Sequence, residues 1–357
     1  MKATTRSPRL RRRRLVVQLP RPEVSLRFDR RGLLTLALVS LLALVAMAIT
    51  LVVGRIPIHF DQVVAALLGH GSGTSNLVIT TLRLPRVLVA VFVGAALGMS
   101  GAIFQSVTQN PLVAPDIIGV TSGASVAVVT MIVVGHGGQP PALVSFAGAL
   151  LAAAAVYLLS VRSGLSRLRL VLIGIGVNAA LGALIIYLLT TASLNQVLQA
   201  NRYLLGDVSG ATWPTVQGLL PAAAVLMALG TGLGAGMQVL QLGDDVATGV
   251  GAPVARSRLL LIVVGVGLAG VAVAAAGPVG FVAFIAPHIA RGLARSTGAV
   301  VLPLSAAVGG ALVVIADYAA QRLLEPTQLP VGILTVVIGG PYFMYLLLRA
   351  SRAGLVG

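Results

Sequence analysis

Very few side chains in this sequence could carry chemistry. Four ionisable residues fall within or beside long apolar runs: Asp116, His288, Arg291 and Asp317. A charge at membrane depth is costly, so such a residue is by default a candidate for an ion path or proton relay. All four lie near the ends of their runs, and Asp116 and Asp317 read equally well as helix caps or interhelical partners. His288 and Arg291 are three positions apart and share a helix face, which suits pairing with a neighbouring cytoplasmic loop. His59, His70 and His136 lie between runs and read as solvated. The chain has no cysteine, which removes disulfides, thiolate metal sites and cysteine nucleophiles. With four His and nine acidic residues in all, no multi-ligand metal site is expected. The phosphate-cradling Gly-x-x-x-x-Gly-Lys-Ser/Thr loop, the Gly-x-Ser-x-Gly elbow and the His-Glu-x-x-His helix are all absent from the sequence. An intramembrane enzyme would lack residues to run it. A secondary transporter coupled to protons through Asp116, Asp317 or His288 stays open.

Whatever these residues do, apolar helices must position them. Of 357 residues, 57% are hydrophobic and only 10% charged, with a mean hydropathy of +1.00. Soluble chains carry about 25% charged residues, so this composition cannot cover a water-facing surface. Apolar runs near 32–53, 87–107, 118–134, 142–161, 170–190, 215–234, 258–276, 280–293, 299–320 and 331–348 predict ten spans. The third and eighth are short, and Pro287 argues against a full straight helix in the eighth. The net charge of +16 is not a nucleic-acid signal, because eleven of the 25 basic residues crowd the first 31 positions. Most of the rest sit between apolar runs.

With the N-terminus inside, 20 basic residues fall on the cytoplasmic side, including Arg162, Arg167, Arg169, Arg256, Arg258, Arg291, Arg295, Arg349 and Arg352. Only Arg55, Arg83, Arg86, Arg202 and Arg322 fall outside. That asymmetry puts both termini in the cytoplasm. Residues 1–31 form a basic tail, read as a disordered topology anchor or a segment touching anionic lipid. The run after it is too long for a signal peptide and is followed by no small-x-small cleavage site. The spanning domain covers 32–357.

Two segments resemble each other at an offset of about 172 residues: Gly94 to Ala114-Pro115-Asp116-Ile117, and Gly265 to Ala286-Pro287-His288-Ile289. An offset of five spans inverts the second copy across the membrane, a transporter design. Glycines inside the spans, such as Gly94, Gly98, Gly101, Gly174, Gly176 and Gly182, serve close helix packing or helix movement. The longest cytoplasmic loop, 235–257, carries Gly243-Asp244-Asp245 as a helix start, a glycine stop, and Pro253 opening the next turn. It predicts two short helices along the membrane face, serving as a knob for another protein or as a plain connector.

At this point the sequence resembles a known family. Arg83-Leu-Pro-Arg86, Gly94-Ala-Ala-Leu-Gly-Met-Ser-Gly-Ala-Ile-Phe-Gln-Ser-Val-Thr-Gln-Asn110-Pro111-Leu-Val-Ala-Pro-Asp116, Leu242-Gly-Asp-Asp-Val-Ala247, Gly277 through Pro287-His288 to Arg291, Ala316-Asp317 and Leu329-Pro-Val-Gly332 appear in the order found in the FecCD family. These are membrane subunits of ATP-binding-cassette importers for iron-siderophores, haem and vitamin B12. Gln241-Leu-Gly-Asp-Asp, Gln328-Leu-Pro and Gly339-Gly-Pro-Tyr are most similar to its ferric-enterobactin branch, whose permeases work in heteromeric pairs.

The resemblance implies an all-α polytopic membrane protein of about ten transmembrane helices with an inverted repeat, the fold of vitamin B12 importer permeases. It implies a permease without its own nucleotide site, moving ferric siderophore across the bacterial cytoplasmic membrane, with haem or vitamin B12 as alternative cargo. Partners would be a second homologous permease, two ATPase subunits holding ATP and Mg, and an extracytoplasmic siderophore-binding protein. Membrane lipid surrounds the chain, and nucleic acid plays no part. By the same resemblance Arg83, Arg86 and Arg322 dock the binding protein, although Gln321 stands where many members have arginine. Leu242, Gly243, Asp244, Asp245, Ala247, Thr248, Gly249 and Gly251 meet the ATPases. Asn110, Pro111, Asp116, Asn178, Pro287, His288, Arg291 and Asp317 are structural or pathway candidates.

Overall fold

A computed structural model describes residues 14–18, 25–54, 56, 58–71, 73–135, 141–161, 167–294, 300–323 and 327–352. Arg55, His136, Arg162 and Arg295 lie outside the described residues. Helix α1 spans Arg30–Val52, and two short helices, α2 (Phe60–Leu67) and α3 (Gly73–Leu77), follow it. Next come a π-helical turn Val78–Arg83, α4 (Leu84–Thr108), a 3-10 turn Pro115–Ile118, α5 (Val120–Val134), α6 (Pro141–Val161) and α7 (Arg167–Thr191). Then follow α8 (Leu194–Leu204), α9 (Trp213–Gly232), α10 (Gly234–Leu240), α11 (Asp244–Gly249), α12 (Val254–Ala276), α13 (Val282–Ala294), α14 (Val301–Arg322) and α15 (Val331–Arg352).

Eight of these helices are long and apolar enough to cross a membrane, and α5 and α13 are shorter apolar helices. Together they correspond to the ten expected spans. The short pair occupies the third and eighth places, five spans apart, as an inverted repeat requires. Helix α13 runs on through Pro287 as a single 13-residue element. The residue before a helical proline loses no bond, but the carbonyl four back does. That orphan is the Ala283 carbonyl, and it lies where a side chain on Gly101 of α4 would be. Glycine at 101 is therefore a requirement of this crossing.

The second span does not begin near 87; its helical backbone starts earlier, ahead of Pro85. Helical backbone runs from Gly73 through Pro85 because the turn before the proline is π-wound, with the Leu84 N–H donating to the Ile79 carbonyl. In that register the Thr80 carbonyl would take the N–H that Pro85 lacks. The indole Nε1 of Trp213, at the start of α9, donates to it instead at 2.8 Å.

Helix α4 is the central post. Inside the chain, 83% of its apolar window is buried, against 72% for α14, 67% for α12, and 11% for α1 and α7. Small residues make this possible: a Cβ on Gly94 or on Gly309 of α14 would overlap the other's carbonyl. Gly176 and Gly182 on peripheral α7 have nothing beside them within 4 Å, so packing inside this chain does not explain those two.

Two features were not expected from the sequence. Arg14–Gln18 pairs antiparallel with Ser25–Asp29, placing Leu15 opposite Phe28 and Val17 opposite Leu26, where a disordered anchor was one expectation. These strands, β1 and β2, lead straight into α1. Between the long spans, α8 starts at a Ser193/Gln196 capping box. The same Gln196 amide donates to the Ile132 and Val133 carbonyls at the end of α5, each at 3.1 Å.

Candidate permease site

At the start of α4, Arg83 and Arg86, which the resemblance implies dock a binding protein, are both engaged by groups of this chain. Arg86 gives α14 a forked contact: its Nε lies 3.0 Å from Asp317 Oδ2 and Nη2 2.8 Å from Oδ1. Its Nη1 donates to Gln328 at 3.1 Å, and Gln321 Nε2 donates to Asp317 Oδ2 at 2.8 Å. The two charged side chains are 11% and 1% exposed. Asp317 is thus an interhelical partner, one of the three readings, with helix cap and proton relay, that its sequence position allowed. Arg83 donates to the carbonyls of Leu51 (2.6 Å), Val52 (3.1 Å) and Ile56 (2.6 Å), satisfying the exposed end of α1. Arg322 lies near enough to Arg83 for the two charges to repel. Sequence spacing revealed the arginines but not these partners, which are more than 25 positions away.

On the same side, a cavity of about 1360 Å³ opens between α6, α8, α9 and α12, lined mainly by apolar side chains including Phe146, Leu219 and Leu226. Tyr203 and Asp207 also line it. The Tyr203 hydroxyl bonds to Ser145 (2.7 Å) and the Val273 carbonyl (3.2 Å). Burial pushes its pKa up to about 12, with the Ser145 bond working in the other direction.

The expected pair of short helices forms a knob, from α10 and α11. Gly243 at φ +99 turns the chain, and Asp244 and Asp245 begin α11, where carboxylates suit the helix dipole. Asp244 pairs with Arg258 of α12 at 2.7 Å, bracing the knob against a long span. Ala247 is fully buried beneath it, Thr248 bonds back to the Asp244 carbonyl at 2.8 Å, and Gly249 and Gly251 close the turn. Leu242, Val246 and Val250 are each more than half exposed. This apolar group lies at the end of the spans, on an element too short and polar to enter lipid.

The remaining candidates are scattered. Asn110 and Pro111 make the turn after α4, the Asn110 Oδ1 accepting the Leu112 N–H at 2.9 Å. Thr121 donates to Asp116, and Ser122 of α5 donates to Asn178 of α7. His288 packs edge-on against Tyr342 of α15, ring centres 5.9 Å apart. Among the described residues Arg291 meets a helix rather than a loop: it donates to Gln105, within α4. Asp116, Asp317 and His288 therefore each have a different neighbour, and no bonded chain joins them among the described residues. Gln105, Ser106, Gln109 and Gln241 stood inside the matched family segments but were assigned no role of their own. Four polar residues within the five positions 105–109, at the end of an apolar span, were the available signal.

A bundle of ten apolar helices around one buried span, with an inverted pair of half-length helices and a knob at one end, defines a membrane permease. Residues 41–349 match the FecCD transport family, and the chain belongs to that family. It is 41% identical over 325 residues to the ferric enterobactin transport system permease protein of Escherichia coli (strain K12), covering 91% of this chain and 98% of that one. It is 36% identical to the iron(3+)-hydroxamate import system permease protein of Bacillus subtilis (strain 168), covering 90% and 98%. Among solved structures, a metal-chelate type ABC transporter in an inward-facing conformation superposes with a TM-score of 0.80 at 28% identity, covering 88% of this chain and 98% of that one.

Proposed function

We propose that this chain is the permease subunit of an ATP-driven importer that carries a ferric siderophore across the cytoplasmic membrane. The observation that carries the reading is the knob at 234–251, a braced pair of short helices presenting Leu242, Val246 and Val250 at the end of the spans. Such a surface suits a separate ATPase, and the sequence has no phosphate loop of its own. Hydrolysis then takes place on two partner subunits, and this chain converts their movement into a change of access. The cargo assignment draws on the relatives, whose names specify ferric enterobactin and iron-hydroxamates. A second homologous permease would complete the path, with α1 and α7, the least buried spans, among the faces available to it or to lipid. Both termini lie in the cytoplasm, as the basic-residue asymmetry requires. Arg83, Arg86 and Arg322 shape a cationic outer rim suited to a binding protein's carboxylates. Arg83 and Arg86 would act there by fixing the rim, because their own donors are engaged.

The test replaces the apolar knob surface. Leu242→Asp with Val246→Asp should abolish co-purification of the ATPase and uptake of radiolabelled ferric enterobactin, while the permease still inserts. Retained ATPase capture and retained uptake in this variant would refute the coupling role. Normal uptake after ATP depletion would refute the ATP-driven class in favour of ion coupling.

A further inference from the structure

We propose that Gln105 is a positioning residue that carries movement from the knob to the half-length helix α13. The inference deepens the coupling role proposed above and rests on it. Gln105 is 3% exposed, and both ends of its amide are occupied by α13. Its Nε2 donates to the Phe284 carbonyl at 3.3 Å, and its Oε1 accepts from the Arg291 guanidinium. One residue on, the Ser106 hydroxyl accepts from Gln241 Nε2 at 3.3 Å, and Gln109 Nε2 donates to the Leu240 carbonyl at 2.7 Å. Leu240 is the last residue of α10, and Gln241 begins the link from it to α11. Little more than one turn of α4 therefore holds the knob on one side and α13 on the other.

The other parts suit transmission. Helix α13 lacks a ladder bond at Pro287, which makes it easier to bend there. It reaches α15 through Phe284 against Phe343, edge to face at 5.1 Å, and through His288 against Tyr342. The chemistry at position 105 is also suited to a contact that must break and reform. A carboxylate would lock Arg291 in a dry ion pair that is costly to separate. A neutral amide satisfies the guanidinium with a weaker bond, and its second end holds a backbone carbonyl.

The experiment uses the whole importer, with both permeases, ATPases and binding protein, in proteoliposomes. It measures ATP hydrolysis and uptake of radiolabelled ferric enterobactin in the same vesicles. Gln105→Glu keeps a partner for Arg291 but removes the donor to Phe284. The pair Gln105→Met with Arg291→Met removes both polar ends without stranding a charge. Both should assemble and hydrolyse ATP, while cargo moved per ATP falls by about fivefold, the scale of one hydrogen bond of ordinary net strength. An unchanged transport ratio in both variants overturns the proposal. Hydrolysis and uptake falling in proportion, or failure of both variants to assemble, also overturns it by making Gln105 purely structural. If the unaltered permease fails to retain its ATPase, the coupling role itself has failed, which is a separate observation.

Discussion

The buried pair of Arg86 and Asp317 allows a quantitative test. Its carboxylate is 1% exposed and its guanidinium 11%, so neither charge retains much water once the other is removed. Breaking a buried pair by deleting one partner costs about 3–5 kcal/mol, whereas replacing both by apolar groups of similar size is near neutral. Arg86→Met alone strands Asp317, leaving it one donor, Gln321. Asp317→Leu alone strands Arg86, leaving it Gln328. At roughly 2 °C per kcal/mol for a chain of this size, each single change should lower the thermal unfolding midpoint of the purified permease by about 6–10 °C. The double variant should regain most of that loss, giving a coupling energy of about 3 kcal/mol or more in a double-mutant cycle. Arg86→Lys should fall between, since an ammonium cannot reproduce the fork. Additive losses, or single variants that unfold at the parental temperature, would refute the idea that this pair holds α4 to α14. A loss confined to binding-protein capture, with the midpoint unchanged, would return Arg86 to direct docking.

Two further outcomes follow from packing and burial. Gly101→Ala should cost about 1–3 kcal/mol by overpacking against the Ala283 carbonyl, whereas Gly176→Ala on α7 should leave the isolated subunit's midpoint unchanged. Equal effects at the two sites would refute the close-approach account. Tyr203 is ordinarily half-ionised near pH 10 and is held neutral to about pH 12 in the folded chain. Because the folded form keeps this proton longer than the unfolded form, its contribution is complete below pH 10 and lost as pH rises through about 12. Unfolding monitored across that window should show a stability decline that Tyr203→Phe reduces; an identical decline in the variant would dismiss the assignment.

What could be read from the sequence was set by the range of the interactions. Span number, the short third and eighth helices and the two-helix knob depend on local hydrophobicity and turn residues, and all of these were legible. The partners of the polar residues were not. Arg86 meets Asp317 across 231 positions and Arg291 meets Gln105 across 186, distances over which spacing carries no information. Thus Arg86 was expected to face outward and Arg291 to meet a loop, yet each closes an interhelical contact. The start of the second span was hidden for another reason. Proline usually marks a helix start, but a π-wound turn before it moved the missing bond to a carbonyl that a distant indole could serve.

That indole has a practical consequence. Trp213 is the chain's single tryptophan, 39% exposed, and its N–H bridges the start of α9 to the π-wound turn that leads into α4. The native emission spectrum is therefore a one-site gauge of this junction, responding to the loss of a single hydrogen bond. Any event that separates α9 from α4 will register in it without a label.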